Sequence, residues 1–399
     1  MLLFPPYGKN DQHFWRGGDC LRVEQKIWQE SGGWRDESPK TKGLLPQVVM
    51  VFGTRKCLKQ KERFAEIRGF YPEAHIFGCS TAGEICGTRV YEDTIIITAL
   101  EFEDTRVEGM QIKLNQVENA LQAGKYIASS LPVEGLIHVL VLSDGLKVNG
   151  SDLVRGLISG LPPGISITGG LAGDGGYFEE TLVFWDALPE PDNIAILGFY
   201  GNRLKVGYGS MGGWDPFGPE RLITRSIGNV LYEMDGRSAL ELYKKYLGEF
   251  ADGLPATGVF FPLSIRGQER GRSVVRAITA VNEEDQSLTF AGDVPTGAYA
   301  RLMKANVGRL IEGAIDAAKT SVTPRKGSNT GFALLISCFA RRVVLGQMTE
   351  EEIEEVDQIM GSETVLAGFY SYGEISPFRL GEKTELHNQT MTITTFWEE

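Results

Sequence analysis

Apolar residues along this chain gather into short unbroken runs rich in valine and isoleucine, and the runs recur three times in one order. A strand-like run leads into a helical stretch, then a second short run, a glycine-acid turn, and a polar connection into a final run. The first set is QVVMVFG (47–53), a helical pattern over Cys57 to Gly69, AHIFG (74–78), the turn GCSTAGE (78–84) and TIIITALEF (94–102). The second is LIHVLVLSDG (136–145), a helix from Ser151 to Gly160, ISITGG (165–170), the turn TGGLAGD (168–174) and NIAILGFYG (193–201). The third is GFALLISCFARR (331–342), a helix from Thr349 to Met360, TVLAG (364–368), the turn GFYSYGE (368–374) and QTMTITTFW (389–397). Such runs fit strands covered on both faces, and a helix between two of them predicts parallel pairing with a right-handed crossover. Ser151 is the expected N-cap of the second helix, and Thr349 with Glu352 forms a capping-box pattern for the third.

The predicted fold class is therefore α/β, with repeated β-α-β-β units forming two related modules whose mixed sheets are flanked by helices. Between the second and third units, an amphipathic helix is expected from Ser238 to Leu247 and a hairpin over 274–297 turning at Asn282 to Gln286. A second helix is expected at about Ala305 to Lys319, followed by an exposed linker at 321–331. The first 45 residues are poorly periodic. The expected division is a divergent extension (1–45), an N-terminal module (46–205) and a C-terminal module (206–399).

With 42% apolar and 23% charged residues, the 399-residue chain has the balance of an ordinary globular protein. A formal charge of −12 argues against a nucleic-acid partner, because no basic run overrides the average. No segment offers the roughly 18 uninterrupted apolar residues of a membrane helix, and the start lacks the features of a signal peptide. The five cysteines are widely spaced without a CxxC pair, which fits reduced thiols and a cytoplasmic location.

The turns align without gaps as Ala82-Gly83-Glu84, Ala172-Gly173-Asp174 and Tyr372-Gly373-Glu374. Glycine before the acid implies either positive φ or a close approach by another group. Two readings stay open and both can hold: a structural turn, or one rim of a shared ligand crevice beyond the carboxyl ends of the strands. In the first turn, Cys79, Ser80, Thr81 and Glu84 offer a thiol, hydroxyls and a carboxylate; the alternative is that they pack and satisfy turn amides. Asp174 and Glu374 repeat the carboxylate. In the third unit, Tyr370 and Tyr372 can wall an organic ligand, while Cys338, Arg341 and Arg342 lie on the predicted first strand. Either arginine could hold a carboxylate, but strand alternation sends the two to opposite faces.

These turns, with the segments between them, resemble the FIST family of intracellular signal-transduction sensory domains. FGCSTAGEI (77–85) and GGLAGD (169–174) look like its N-terminal module, and SCFARR (337–342), GFYSYGEISP (368–377) and HNQTMTITTF (387–396) look like its C-terminal one. The resemblance implies a cytosolic protein that binds a small ligand, such as an amino acid or derivative, at residues that include Asn388. It also implies signalling to a separate protein such as a histidine kinase or cyclic-nucleotide enzyme. Some family members bind haem and sense nitric oxide; among the histidines His387, beside the NQT segment, is then the better candidate axial ligand, with coordination by Tyr or Cys left open.

An enzyme reading has less to stand on. GCSTA has alanine where a nucleophile elbow needs its second glycine, and Cys79 with His75 has only proximity to suggest a cysteine hydrolase. GYGSMG (207–212) satisfies Gly-x-Gly-x-x-Gly, yet the prolines that follow do not open a helix.

Overall fold

In the computed structural model, residues 21–37, 43–267, 272–322 and 331–399 are described. The three expected units are present, each with its own six-stranded mixed sheet. In the first, Val48–Gly53 lies parallel to His75–Ser80 and antiparallel to Thr94–Phe102. Leu136–Ser143 pairs in the same two ways with Ser166–Leu171 and Asn193–Tyr200, and Gly331–Cys338 with Thr364–Ser371 and Met391–Glu398.

The double burial inferred from the apolar runs has a simple cause. Along Leu136–Ser143, Leu140 and Leu142 point into a central cluster drawn from all three sheets, which includes Met50, Phe77, Phe199 and Ile336. Val139 and Val141 point outward beneath the helices Ala120–Ser129 and Gly150–Gly160. In the third sheet, Leu334 and Ile336 face the centre while Ala333 and Leu335 face Ile353 and Val356 of the helix Thr349–Met360. Each such side chain, moved from water to interior, contributes roughly 1.5–3 kcal/mol.

Each sheet is completed by three strands beyond those of its unit. On one side, Leu21–Gln29, Arg106–Lys113 and Leu204–Met211 run antiparallel to the final strand of the first, second and third unit respectively, with Gly33–Asp36 paired beyond the first of these. Thus residues 21–29, within the stretch read as poorly periodic, repeat the role of the other two strands; Leu21, Val23 and Ile27 are among their buried positions. On the opposite side the strand comes from a different unit. Glu84–Cys86 joins the third sheet, Val183–Trp185 the first, and Gly373–Pro377 the second. The three units are therefore interlocked in a ring.

Residues 215–304 form an inserted β-rich layer with its own core around Leu231, Tyr243 and Leu288. It contains the expected helix, Ala239–Leu247, whose N-cap Ser238 accepts from the Glu241 N–H. The expected hairpin is also there, Ile278–Asn282 with Ser287–Phe290. The second helix runs Val307–Ser321, and the expected linker beyond it lies largely outside the described residues.

Several local expectations are corrected. The first helical stretch is split into Arg55–Leu58 and Lys61–Phe70. Asn149, not Ser151, caps the second helix, its side-chain Oδ1 accepting from the Ser151 and Asp152 N–H groups. Thr349 and Glu352 form no capping box: the Thr349 hydroxyl donates to the Gly346 carbonyl, and Glu352 turns inward to meet Arg341. Arg341 and Arg342 lie on a helix, Phe339–Leu345, rather than a strand, because the chain bends at Cys338 into the space where Arg341 can be satisfied. Arg341 is fully buried, paired with Glu352 and donating to the Gly212 and Leu310 carbonyls.

A buried pair of this kind is costly to break from one side, because the partner is left charged and unpaired. Arg341→Met is expected to lower stability by roughly 3–5 kcal/mol, and the double variant Arg341→Met with Glu352→Leu to recover much of that loss. Urea denaturation of the two variants checks this; equal losses would contradict it.

Candidate functional site

The exchange of strands brings the three glycine-acid turns together at one junction. Gly173 N–H donates to the Ser80 carbonyl at 3.0 Å, and the Ser80 hydroxyl donates to the Gly173 carbonyl at 2.7 Å. The first turn meets the third where Ala82 N–H donates to the Tyr370 carbonyl and Tyr370 N–H to the Gly83 carbonyl, both at 2.8 Å. The third meets the second where Tyr372 N–H donates to the Leu171 carbonyl at 3.2 Å. Both reasons for glycine before the acid occur: Gly83 has φ of +130°, whereas a Cβ at Gly173 would lie 2.9 Å from the Ala82 nitrogen.

Two of the three acids turn inward into nearly identical surroundings. Glu84 accepts from the hydroxyls of Thr81, Thr94 (2.8 Å) and Thr54 (3.4 Å). Glu374 accepts from the Ser371 hydroxyl (2.7 Å) and from the N–H and hydroxyl of Thr390 (3.1 and 2.8 Å). Thr81 and Ser371 stand three residues before their acids, so the spacing itself supplies one donor. Both carboxyls are wholly buried with no ion-pair partner among the described residues, and burial pushes each up to about 7 against the pull of these donors and of the more distant Arg342 and Arg341.

In the second unit Leu171 occupies the place of that hydroxyl, and Asp174 behaves differently. It accepts from the Phe178, Glu179 and Glu180 N–H groups and from the Tyr372 hydroxyl, and faces Arg55 at 3.3 Å. Burial opposes its charge, but these donors together hold it below the usual carboxylate range. It thereby fixes the loop 175–180 over the junction, with Phe178 stacked on the Tyr372 ring at 4.7 Å.

The remaining expected residues serve the same closed structure. Cys79 lies in the central apolar cluster and burial pushes its thiol up; Ser80 also accepts from the Leu182 N–H. Tyr370 is fully buried, with its hydroxyl 3.4 Å from Glu352, so it does not wall a crevice. Arg342 donates to the Ala82 carbonyl and pairs with Glu92. Cys338 is the N-cap of the helix Phe339–Leu345 and burial raises its thiol, while N–H groups of Gln389, Ala340 and Arg341 act the other way. The Asn388 amide donates to the His387 carbonyl, and its buried Oδ1 has no partner among the described residues. The two residues weighed as hydrolase nucleophiles are both buried, and the Ser80 hydroxyl is bonded to main chain.

The three described histidines are engaged in ways that do not fit haem ligation. His387 Nε2 donates to the Ser376 carbonyl at 2.7 Å, the ring packs on Phe378, and burial pulls it down to about 4. His138 uses both nitrogens on Ser166 and Thr168, and exposed His75 is held by Asp186 and Trp185. His13 lies outside the described residues. Among the described residues no cluster of three metal-ligating side chains is present.

An open concavity lies elsewhere. A cleft of about 450 Å³ is bounded by the helix Gly150–Gly160, the inserted layer around Arg276 and Asp293, and the strand Thr384–His387. Its residues escaped the sequence reading because they are scattered over 151–386 and share no motif. The one signal was Arg276 in a run otherwise apolar.

Because Glu84 and Glu374 titrate higher folded than unfolded, their contribution to stability is full below about pH 4.5 and is lost as pH rises through about 7. Glu84→Gln and Glu374→Gln are each expected to flatten the fall in stability between pH 5 and 8 by roughly 2–3 kcal/mol. Urea midpoints at the two pH values check this, and an unchanged pH dependence in both variants would refute it.

Comparison with known proteins agrees with these motifs. The chain matches the FIST N domain over residues 47–237 and the FIST C domain over 239–377. The division between the two falls within the inserted layer, at the start of the helix Ala239–Leu247. It is 21% identical over 347 residues to an uncharacterized protein of Methanocaldococcus jannaschii, an alignment covering 80% of this chain and 65% of that relative. Two adjoining family matches, on a chain whose three signature turns meet at one junction, place this protein in the FIST family, whose domains are generally signal-transduction sensory domains.

Proposed function

We propose that this chain is a cytoplasmic sensory protein that binds a small ligand and signals to a separate output protein, such as a histidine kinase or cyclic-nucleotide enzyme. The observation that supports ligand binding is the cleft of about 450 Å³, within the size range of small-molecule sites, formed jointly by the second unit and the inserted layer. The four described cysteines are free, which accords with a reducing compartment; among the described residues no helix is long and apolar enough to cross a membrane.

The cleft is connected to the junction through one hairpin. Gly373–Pro377 begins at the third turn and pairs with Thr384–His387, so that Glu374 lies opposite His387 and Ile375 opposite Leu386. Leu386 and Glu385 line the cleft. A ligand that favours one setting of this hairpin relative to the inserted layer shifts the population of that setting, and only to the extent of its differential affinity. The junction residues then position the hairpin instead of contacting the ligand.

A metabolite panel is expected to contain a compound that raises the melting temperature saturably, and the same compound is expected to slow hydrogen exchange both in 373–387 and in the inserted layer. A ligand that stabilises the protein yet leaves both regions unchanged would contradict this reading, as would the absence of any saturable effect.

A further inference from the structure

The chain carries a net charge of −12, yet its cleft is lined by four cationic side chains, Arg155, Arg272, Arg276 and Lys383, against two carboxylates, Asp293 and Glu385. Of these, Arg276 is the unusual one. It is 5% exposed and has no ion-pair partner among the described residues. Its Nε donates to the Asp293 carbonyl at 3.1 Å, and its Nη1 to the Leu386 and Val275 carbonyls at 3.0 and 3.3 Å. These bonds fix the guanidinium plane but supply no compensating charge, and Nη2 has no acceptor among the described residues. Gly292 leaves the space it occupies, since a Cβ there would lie 2.9 Å from the Arg276 Nε.

Asp293 and Glu385 act on Arg276 from a distance without pairing with it, and a fixed guanidinium lining a cleft gains from an anion that supplies a charge and acceptor in direct contact. Burial pulls Arg276 down only to about 10, so it is charged at neutral pH. Its cationic neighbours differ from it. Arg155 is paired with Asp152 and Asp293, and Arg272 faces Glu382 at 3.7 Å, whereas exposed Lys383 has no ion pair among the described residues.

We infer that the cleft between the helix Gly150–Gly160, the inserted layer and the strand Thr384–His387 binds a small organic carboxylate. Arg276 Nη2 receives one carboxylate oxygen, and Arg272 with Lys383 provides for a second anionic group. This assignment deepens the sensory reading and rests on it. It also couples the hairpin to the ligand through Arg276, which holds the Leu386 carbonyl.

The test is calorimetric titration of the full chain at low salt with glutarate, citrate, inorganic phosphate and the neutral analogue glutaramide. Saturable binding of glutarate or citrate is expected, with glutaramide failing to bind and phosphate at least tenfold weaker. Arg276 also joins two layers, so Arg276→Gln can unfold the protein; the exposed pair Arg272→Ala with Lys383→Ala avoids that. The double variant is expected to bind citrate at least tenfold more weakly with an unchanged melting temperature in the absence of citrate, consistent with loss of charge-assisted contacts. No binding of either carboxylate, tighter binding of phosphate, or citrate binding unaltered in the double variant would each overturn the assignment. A separate arm measures hydrogen exchange in 373–387 with citrate bound: protection lost only in the double variant supports the assignment, and a cleft that binds citrate without altering the hairpin refutes the sensory reading while leaving the carboxylate site intact.

Discussion

The structure depends on one constraint: the strand that follows each glycine-acid turn is handed to the sheet of another unit. Glu84–Cys86, Val183–Trp185 and Gly373–Pro377 can reach their foreign sheets only if the three turns lie side by side, and the main-chain bonds among Ser80, Ala82, Leu171, Gly173, Tyr370 and Tyr372 are the result. The ring also explains the shared core. Three sheets locked at one end by exchanged strands bury their inner faces against one another, while helices cover the outer faces of each.

Within that ring the acids divide by the residue three positions earlier. A hydroxyl there, Thr81 or Ser371, draws the carboxyl inward, and a second threonine at the start of the final strand completes its shell. Leucine at that place leaves Asp174 to organise the loop above. The consequence is a junction whose polar atoms mainly satisfy one another. Its buried acids near neutrality give the fold a pH dependence, but the open volume lies along the hairpin that leaves the third turn.

Much of this was legible in the sequence, because the repeat is written in features with a local cause. Doubly buried strands give unbroken apolar runs, and the turn glycine with its acid gives a fixed signature. Where the reading went astray, the deciding contact was distant. Arg341 sits on a helix because a buried niche formed by Gly212, Leu310 and Glu352 accepts it there, and nothing within 337–342 encodes that niche. Leu21–Gln29 is mostly buried, but its polar Glu24, Gln25 and Lys26 concealed a strand paired on both sides. The cleft was invisible for the same reason: Arg276 meets Leu386 only after an inserted layer folds back on the second sheet.

The most direct measurement of the interlocked ring is native-state hydrogen exchange on the intact chain, read at the junction amides of Ala82, Gly173 and Tyr372, one from each unit. If the exchanged strands bind the units into one cooperative body, the three amides share a single opening free energy, equal to that of global unfolding. If one of them exchanges through an opening that leaves the other two protected, the units are separable and the ring is not what holds the fold together.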